Sequence, residues 1–148
     1  MAADDKPGPK HPGGHGMKKV AAAVAYRDGK VLLARRAPGQ DLAGHWEFPG
    51  GKLEPGESLQ ACIERELFEE LGVEAKAGAV LADAEFHYPG GAIHLFAIEV
   101  RLGRGEPQMR VHDALDWVGV DRLAEHKLSP ADIEIAAKLK THFSVHEG

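Results

Sequence analysis

The sequence predicts one α/β domain, and three observations carry that expectation. Two pairs of segments rich in Val, Ala, Leu and Ile are each joined by turn residues, Asp28-Gly29 and Pro89-Gly90-Gly91. Between the pairs, Leu59, Ile63, Leu67 and Leu71 recur every four residues before a glycine stop at Gly72. A second helical stretch opens at Ser129-Pro130, toward the C-terminal end. At 148 residues and 43% hydrophobic content, the chain is long enough to bury one sizeable core.

Residues 1–16, MAADDKPGPKHPGGHG, are dense in Gly, Pro and charge and show no periodicity. They are expected to be a disordered N-terminal extension, which leaves 17–148 as the domain. The stretch has no apolar segment of the kind a secretory signal needs, and His11 and His15 in it are not expected to bind metal. No apolar run is long enough to span a bilayer. The formal charge of −5, from 18 basic and 23 acidic side chains, argues against a nucleic acid polymer as partner. It is compatible with a small phosphorylated ligand carried by a metal ion.

Val20 to Tyr26 and Lys30 to Arg35 read as a hairpin that delivers Arg35 and Arg36 to the end of its second strand. Ala37 to Glu47 reads as an irregular loop leading into Phe48-Pro49-Gly50-Gly51, where glycines let the backbone approach a ligand closely. Ser58 to Leu71 is the central helix. The single cysteine, Cys62, lies near its apolar side, where a buried inert thiol is expected, and agrees with a reducing cytoplasm. Ala79 to Tyr88 and Ala92 to Leu102 form the second hairpin, on which His87 and His94 lack metal-site spacing and read as structural. A loop from Gly103 to Arg110, a short strand Ala114 to Val118 and a short helix Val120 to Glu125 follow. The last helix begins with Ser129 as N-cap and continues through Ile133, Ile135, Ala136 and Leu139.

The central helix concentrates the chemistry. Glu66, Glu69 and Glu70 stand at i, i+3 and i+4, so three carboxylates share one narrow arc beside the apolar stripe. Arg65 can serve Glu69 at i+4, but one guanidinium does not neutralise three carboxylates together with Glu54 and Glu57 in the preceding loop. A divalent cation does. All-oxygen donors favour Mg²⁺ first and Mn²⁺ second, and a carbonyl such as that of Gly50 can join the carboxylates.

Gly51, five residues, Glu57, seven residues and then Arg65-Glu66-Leu67-Phe68-Glu69-Glu70-Leu71-Gly72-Val73 fill every fixed position of G-x5-E-x7-R-E-U-x-E-E-x-G-U, with U aliphatic. The stretch from residue 51 to 73 resembles the Nudix box, and GHWEFPGGKLEPGES around its start resembles the MutT-like subgroup of that family. The resemblance implies an α/β/α sandwich, with a mixed sheet between helices, and an enzyme in which water attacks a nucleoside diphosphate linked to another group. It implies Glu66 as general base, Glu70 as main metal ligand with Glu66, Glu69 and the Gly50 carbonyl beside it, and Glu57 and Arg65 as catalytic residues that orient the box. Arg36 is implied to touch substrate phosphate. The run Phe48, Pro49, Gly50, Gly51 and Lys52 is implied to line the substrate, Phe48 by stacking on the base while Trp46 is core.

Three departures from the family's pattern matter. Several MutT-like relatives carry an arginine in the turn that here is Gly90-Gly91, so base recognition is expected to differ. Relatives place an extra metal-binding acid where this chain has Val111; Asp113 could take over, or an auxiliary metal is bound more weakly. Asp132 falls where MutT-like proteins read the base: the oxidised-guanine hydrolase has asparagine, and the CTP pyrophosphohydrolase branch has L-x-P-A-D, as in Leu128 to Asp132. An ionised carboxylate only accepts hydrogen bonds and so favours an amino-bearing base such as cytosine, whereas a protonated one still donates to an oxidised purine. Alternatively, Asp132 merely completes the helix cap.

The expected activity is therefore Mg²⁺-dependent (Mn²⁺ possible in its place) hydrolysis of a nucleoside triphosphate to the monophosphate and pyrophosphate. The purpose would be to clear 8-oxo-dGTP, or CTP and 5-methyl-dCTP, from the nucleotide pool. The alternatives are another nucleoside diphosphate derivative such as ADP-ribose, and a non-catalytic nucleotide-sensing domain, which the intact glutamates disfavour. The reading is of a cytoplasmic protein, monomer or homodimer, with a small nucleotide as its partner and neither membrane nor nucleic acid polymer.

Overall fold

The computed structural model describes residues 17–147, with side chains to residue 143, so the extension expected at 1–16 lies outside the described residues. In chain order the elements are β1 (Met17–Arg27), β2 (Lys30–Arg36), β3 (Trp46–Glu47), β4 (Gly50–Lys52), α1 (Leu59–Leu71), β5 (Ala75–Tyr88), β6 (Gly91–Leu102) and β7 (His112–Gly119). A 3₁₀ helix (Val120–Glu125) and α2 (Pro130–Glu147) complete the chain. The sheet runs β3-β2-β1-β6-β5, with β4 added to β1 and β7 to β2. Strands β1 and β6 are parallel and the other pairs antiparallel, so the sheet is mixed as expected.

Alternation along β1 and β2 builds two cores. Ala22, Val24, Val31 and Leu33 face Ile135 and Leu139 of α2, while Ala21, Ala23, Ala25 and Leu32 face Ile63, Leu67 and Leu71 of α1. This is the α/β/α sandwich. The hairpin strands β1 and β2 stay paired for only two positions, Tyr26 with Val31 and Arg27 with Lys30. Beyond them β1 pairs with β4 and β6, and β2 with β3 and β7. The divergence of β1 and β2 opens the cleft described below.

Several expectations are corrected by long-range pairing. The loop ending at Glu47 closes with β3, because Trp46 and Glu47 pair with Arg35 and Ala34. The glycine-rich Gly50–Lys52 is a strand, held by Val20, Ala21 and Ala22 rather than by any propensity of its own. Strands β1, β5 and β7 begin earlier than the local pattern shows. Ile133 is exposed, since Asp132, Ile135, Ala136 and Leu139 at i, i+3, i+4 and i+7 form the buried stripe of α2. Ser58 caps α1 by accepting from the Ala61 N–H at 3.0 Å, and Gly72 ends it in the left-handed region at φ 67°. Ser129, expected to do the same for α2, makes no such bond: its Oγ is buried without a partner.

Gly50 is required where β4 crosses β1. A Cβ on it would stand 1.9 Å from the Ala21 carbonyl oxygen, and backbone cannot yield as a side-chain end can. Gly50→Ala is expected to destabilise the fold by about 3 kcal/mol, the upper end for overpacking, as read from the urea midpoint.

Candidate active site

The cleft, of about 320 Å³, lies between the diverging strands and the head of α2. Glu70, Gly50 and Gly51 line one end, Asp132, Ser129 and Phe48 the other, with Arg36, Glu47 and His112 between.

At the acid end, Arg65 is a hub rather than the partner of one glutamate. Its Nε and Nη2 donate to the two oxygens of Glu57 at 2.6 and 3.0 Å, and Nη1 donates to Glu66 at 3.0 Å and Glu69 at 3.3 Å. Glu54 stands 3.7 Å away, and Nη2 also donates to the Lys52 carbonyl at 3.3 Å. This network ties α1 to β4 and to the loop between them. The Arg65 hydrogen bonds hold the Glu57 carboxyl at about 2, well below the usual range, and raise the Arg65 guanidinium in turn.

Glu70 is left out of the network. Burial first, then the neighbouring charge of Glu66, raises its carboxyl to about 9, and its Oε1 is buried without a partner. Burial also raises Glu66, whose carboxylate rests on Gly51: a Cβ there would lie 2.5 Å from it, so the box glycine is the seat of this glutamate. Glu69 is turned outward, its side chain 58% exposed.

Among the described residues no three His, Cys, Asp or Glu side chains are arranged to hold an ion as they stand. The donors nonetheless fit a hard cation: two half-buried carboxylates beside a glycine backbone, one of them with a buried oxygen that has no partner. Oxygen donors alone disfavour softer transition metals.

At the opposite end, Asp132 is 6% exposed, and its Oδ1 accepts from the Phe48 N–H at 3.4 Å. Burial, then the charge of Glu47, raises its carboxyl to about 8. The raised carboxyl favours, of the two forms the sequence left open, the protonated one, which both donates and accepts. It lies on the buried stripe of α2 and not on a solvent-facing cap. Phe48, 3% exposed, is core under α2 and lines the cleft, while Trp46 is half-buried and packs edge-on against His126 at 4.9 Å. Phe48, rather than Trp46, is therefore the more buried of the two aromatics. Pro49 is fully buried, its carbonyl accepting from the Ala23 N–H at 2.7 Å.

Between the ends, Arg36 lines the cleft and donates through Nη1 to Glu47 Oε1 at 3.1 Å and through Nε to the Asp41 carbonyl. Glu47 Oε2 meets His112 Nε2 at 3.0 Å, and the His112 side chain is only 2% exposed. Sequence reasoning missed Glu47 and His112. The available signal was a charged residue within the apolar run around Trp46 and Phe48, and a histidine in alternation with Ala114. Asp113, one of the two possibilities for the acid absent at Val111, is not among the residues lining the cleft. It pairs with Arg35 Nε at 2.7 Å instead, whereas Val111 itself lines the cleft. Lys52 lines the cleft mouth, its amine lowered by partial burial and by the charge of Lys18.

Cys62 is buried and burial pushes its thiol up to about 12, the inert state expected. His94 pairs with Asp83 at 2.6 Å and His87 lies 3.6 Å from Glu85, neither in the cleft. Among the described residues no helix is long and apolar enough to cross a membrane.

Residues 17–139 match the NUDIX domain family. The chain belongs to that family. As a Nudix hydrolase it is 44% identical over 119 residues to the CTP pyrophosphohydrolase of Escherichia coli K12, covering 80% of this chain and 88% of the relative. It is 32% identical over 127 residues to the 8-oxo-dGTP diphosphatase of the same organism, covering 84% and 98%. The solution structure of the E. coli ORF135 protein superposes on the Nudix domain with a TM-score of 0.79 at 42% identity, covering 90% of this chain and 94% of that one.

Proposed function

We propose that this Nudix hydrolase cleaves nucleoside triphosphates to the monophosphate and pyrophosphate, clearing 8-oxo-dGTP, or CTP and 5-methyl-dCTP, from the nucleotide pool. The observation that carries the reading is the span of one cleft, from a half-buried carboxylate pair at Gly50 to a buried carboxyl at Asp132. Polyphosphate fits the first end and a base edge the second. The names of the two E. coli relatives support both candidate substrates.

Glu66, Glu69, Glu70 and the Gly50 carbonyl would hold Mg²⁺ or Mn²⁺, which when bound offsets phosphate charge and acidifies water. Glu66 takes the proton of the attacking water. Arg65, clamped on Glu57, fixes the α1 register that aims it. Arg36, steadied by Glu47, and Lys52 meet phosphate oxygens, while Gly50 and Gly51 admit the chain of phosphates close to backbone. Phe48 supplies a face for the base, flanked by Pro49, and Asp132 its edge partner. A nucleotide substrate and an unpaired buried thiol support a cytoplasmic site of action.

Separation of the products by anion exchange tests the reaction: monophosphate and pyrophosphate are expected, and diphosphate with orthophosphate contradicts it. Base reading is tested by Asp132→Ala, which neither donates nor accepts through its side chain. A bidentate base contact corresponds to roughly 10- to 100-fold in selectivity, so kcat/KM for the preferred base is expected to fall about 10-fold. The parent's preference is also expected to shift toward amino-bearing bases such as cytosine as pH rises through about 8, where its carboxyl becomes an acceptor only, and that of the alanine variant is not. A parent selectivity that is flat from pH 6 to 9 removes Asp132 from base reading.

A further inference from the structure

Buried polar side-chain atoms without a partner are concentrated at the cleft. Of the four among the described residues, Glu70 Oε1, His112 Nδ1 and Ser129 Oγ belong to residues that line it. Native proteins rarely leave such atoms unpaired unless a ligand, an ion, ordered water or a catalytic role accounts for them. Glu70 is placed among the metal-holding residues above and His112 is held through its other nitrogen by Glu47, whereas the Ser129 side chain has neither a role nor a partner.

Ser129 is placed like a helix cap and does not act as one. Ser58, at the same position of α1, bonds the Ala61 N–H through its hydroxyl at 3.0 Å. Ser129 instead has its backbone held on both sides, its N–H donating to the Trp46 carbonyl at 2.8 Å and its carbonyl accepting from the Asp132 N–H at 2.9 Å. Its hydroxyl, in a residue 5% exposed, bonds nothing and is closed to water. A serine has one side-chain torsion with three staggered positions, so the free hydroxyl of this cleft-lining residue can be re-aimed by a single rotation when a ligand offers it a partner.

We infer that Ser129 is a specificity-determining residue, reading the edge of the nucleobase together with Asp132; the inference rests on the nucleotide reading above. The two residues stand one helical turn apart at the head of α2, beside the face of Phe48. Each group both donates and accepts, so the pair suits a base that presents neighbouring donor and acceptor atoms on one edge. Cytosine does so with its amino group and N3, and 8-oxoguanine with its N7–H and O6. The class of ligand is a nucleotide held at two points of its base edge.

Ser129→Ala separates this role from a structural one. The expected result is a 5- to 10-fold rise in KM for the preferred triphosphate, kcat within twofold, and a melting temperature unchanged or raised, because no bond is lost in the free protein. Deoxyribose 5′-triphosphate without a base should react equally with parent and variant. The same ratio is read without catalysis or metal, by calorimetry with CMP and 8-oxo-dGMP, so a parent that hydrolyses no triphosphate sinks the proposed reaction and leaves Ser129 still measured. Equal affinities of parent and variant for both monophosphates overturn the inference. So does a lowered melting temperature with an equal loss for the baseless substrate, which marks a scaffolding serine.

Discussion

Glu66→Gln is expected to lower kcat by about 10³-fold, within the 10²- to 10⁴-fold range for loss of a general base, while nucleotide affinity stays within a few fold. The substitution isolates chemistry from shape. Glutamine fills the same seat on Gly51 and still accepts from Arg65 Nη1, which is 3.0 Å from the glutamate now. What it lacks is the ability to take a proton and the negative charge that Glu66 would offer the metal. Steady-state kinetics with calorimetric binding check both halves, and a variant that turns over like the parent removes Glu66 from catalysis. Glu69→Gln, at an exposed side chain, is expected to cost only about tenfold.

Glu70→Gln is expected to abolish stabilisation by Mg²⁺ and at the same time to stabilise the metal-free protein in alkali. The sign follows from burial. Glu70 titrates at about 9 in the folded protein against an ordinary 4.5, so folding takes up a proton between those values. The metal-free fold is therefore most stable below about pH 4.5 with respect to this group, and loses stability as pH rises toward about 9. Glutamine is neutral throughout and removes that part of the slope. Asp132, raised to about 8, contributes the same sign and remains in the variant. The ceiling from the Glu70 shift is ~6 kcal/mol; relaxation of a partly buried site brings the expected gain at pH 9 to about 2. Urea unfolding in EDTA at pH 6 and 9, repeated with Mg²⁺, measures it. If parent and variant have equal slopes, Glu70 is not the buried acid that the ion displaces.

The parts of the site that were legible in the sequence are those built within one helix and its loop. Spacing alone placed Glu66 and Glu70 beside the stripe of Ile63, Leu67 and Leu71, and Ser58 and Gly72 bounded the helix as their types predict. The second layer was hidden because β2 assembles it from distant segments. Arg36 is the register partner of His112 on β7, and Glu47 reaches it from β3 on the other side. No local pattern encodes a contact across 65 residues. Burial was legible only in part: Asp132 shares its helical face with Ile135 and Leu139, a position that signals a buried carboxyl, but its depth and the nearness of Glu47 come from packing. Ser129 shows the limit of cap rules, since Ser58 and Ser129 look alike in sequence and the fold uses only the first as a cap.

The central claim is that one cleft joins pyrophosphate release to recognition of a base edge. Pyrophosphate release with Mg²⁺ from 8-oxo-dGTP, dGTP, dCTP, 5-methyl-dCTP and CTP, measured side by side for the parent and for Asp132→Ala, tests it most directly. The account predicts release from the parent with a preference of at least 10-fold for cytidine nucleotides or for 8-oxo-dGTP, and a narrowing of that preference in the variant. Equal rates across the five substrates, unchanged by the substitution, would contradict it.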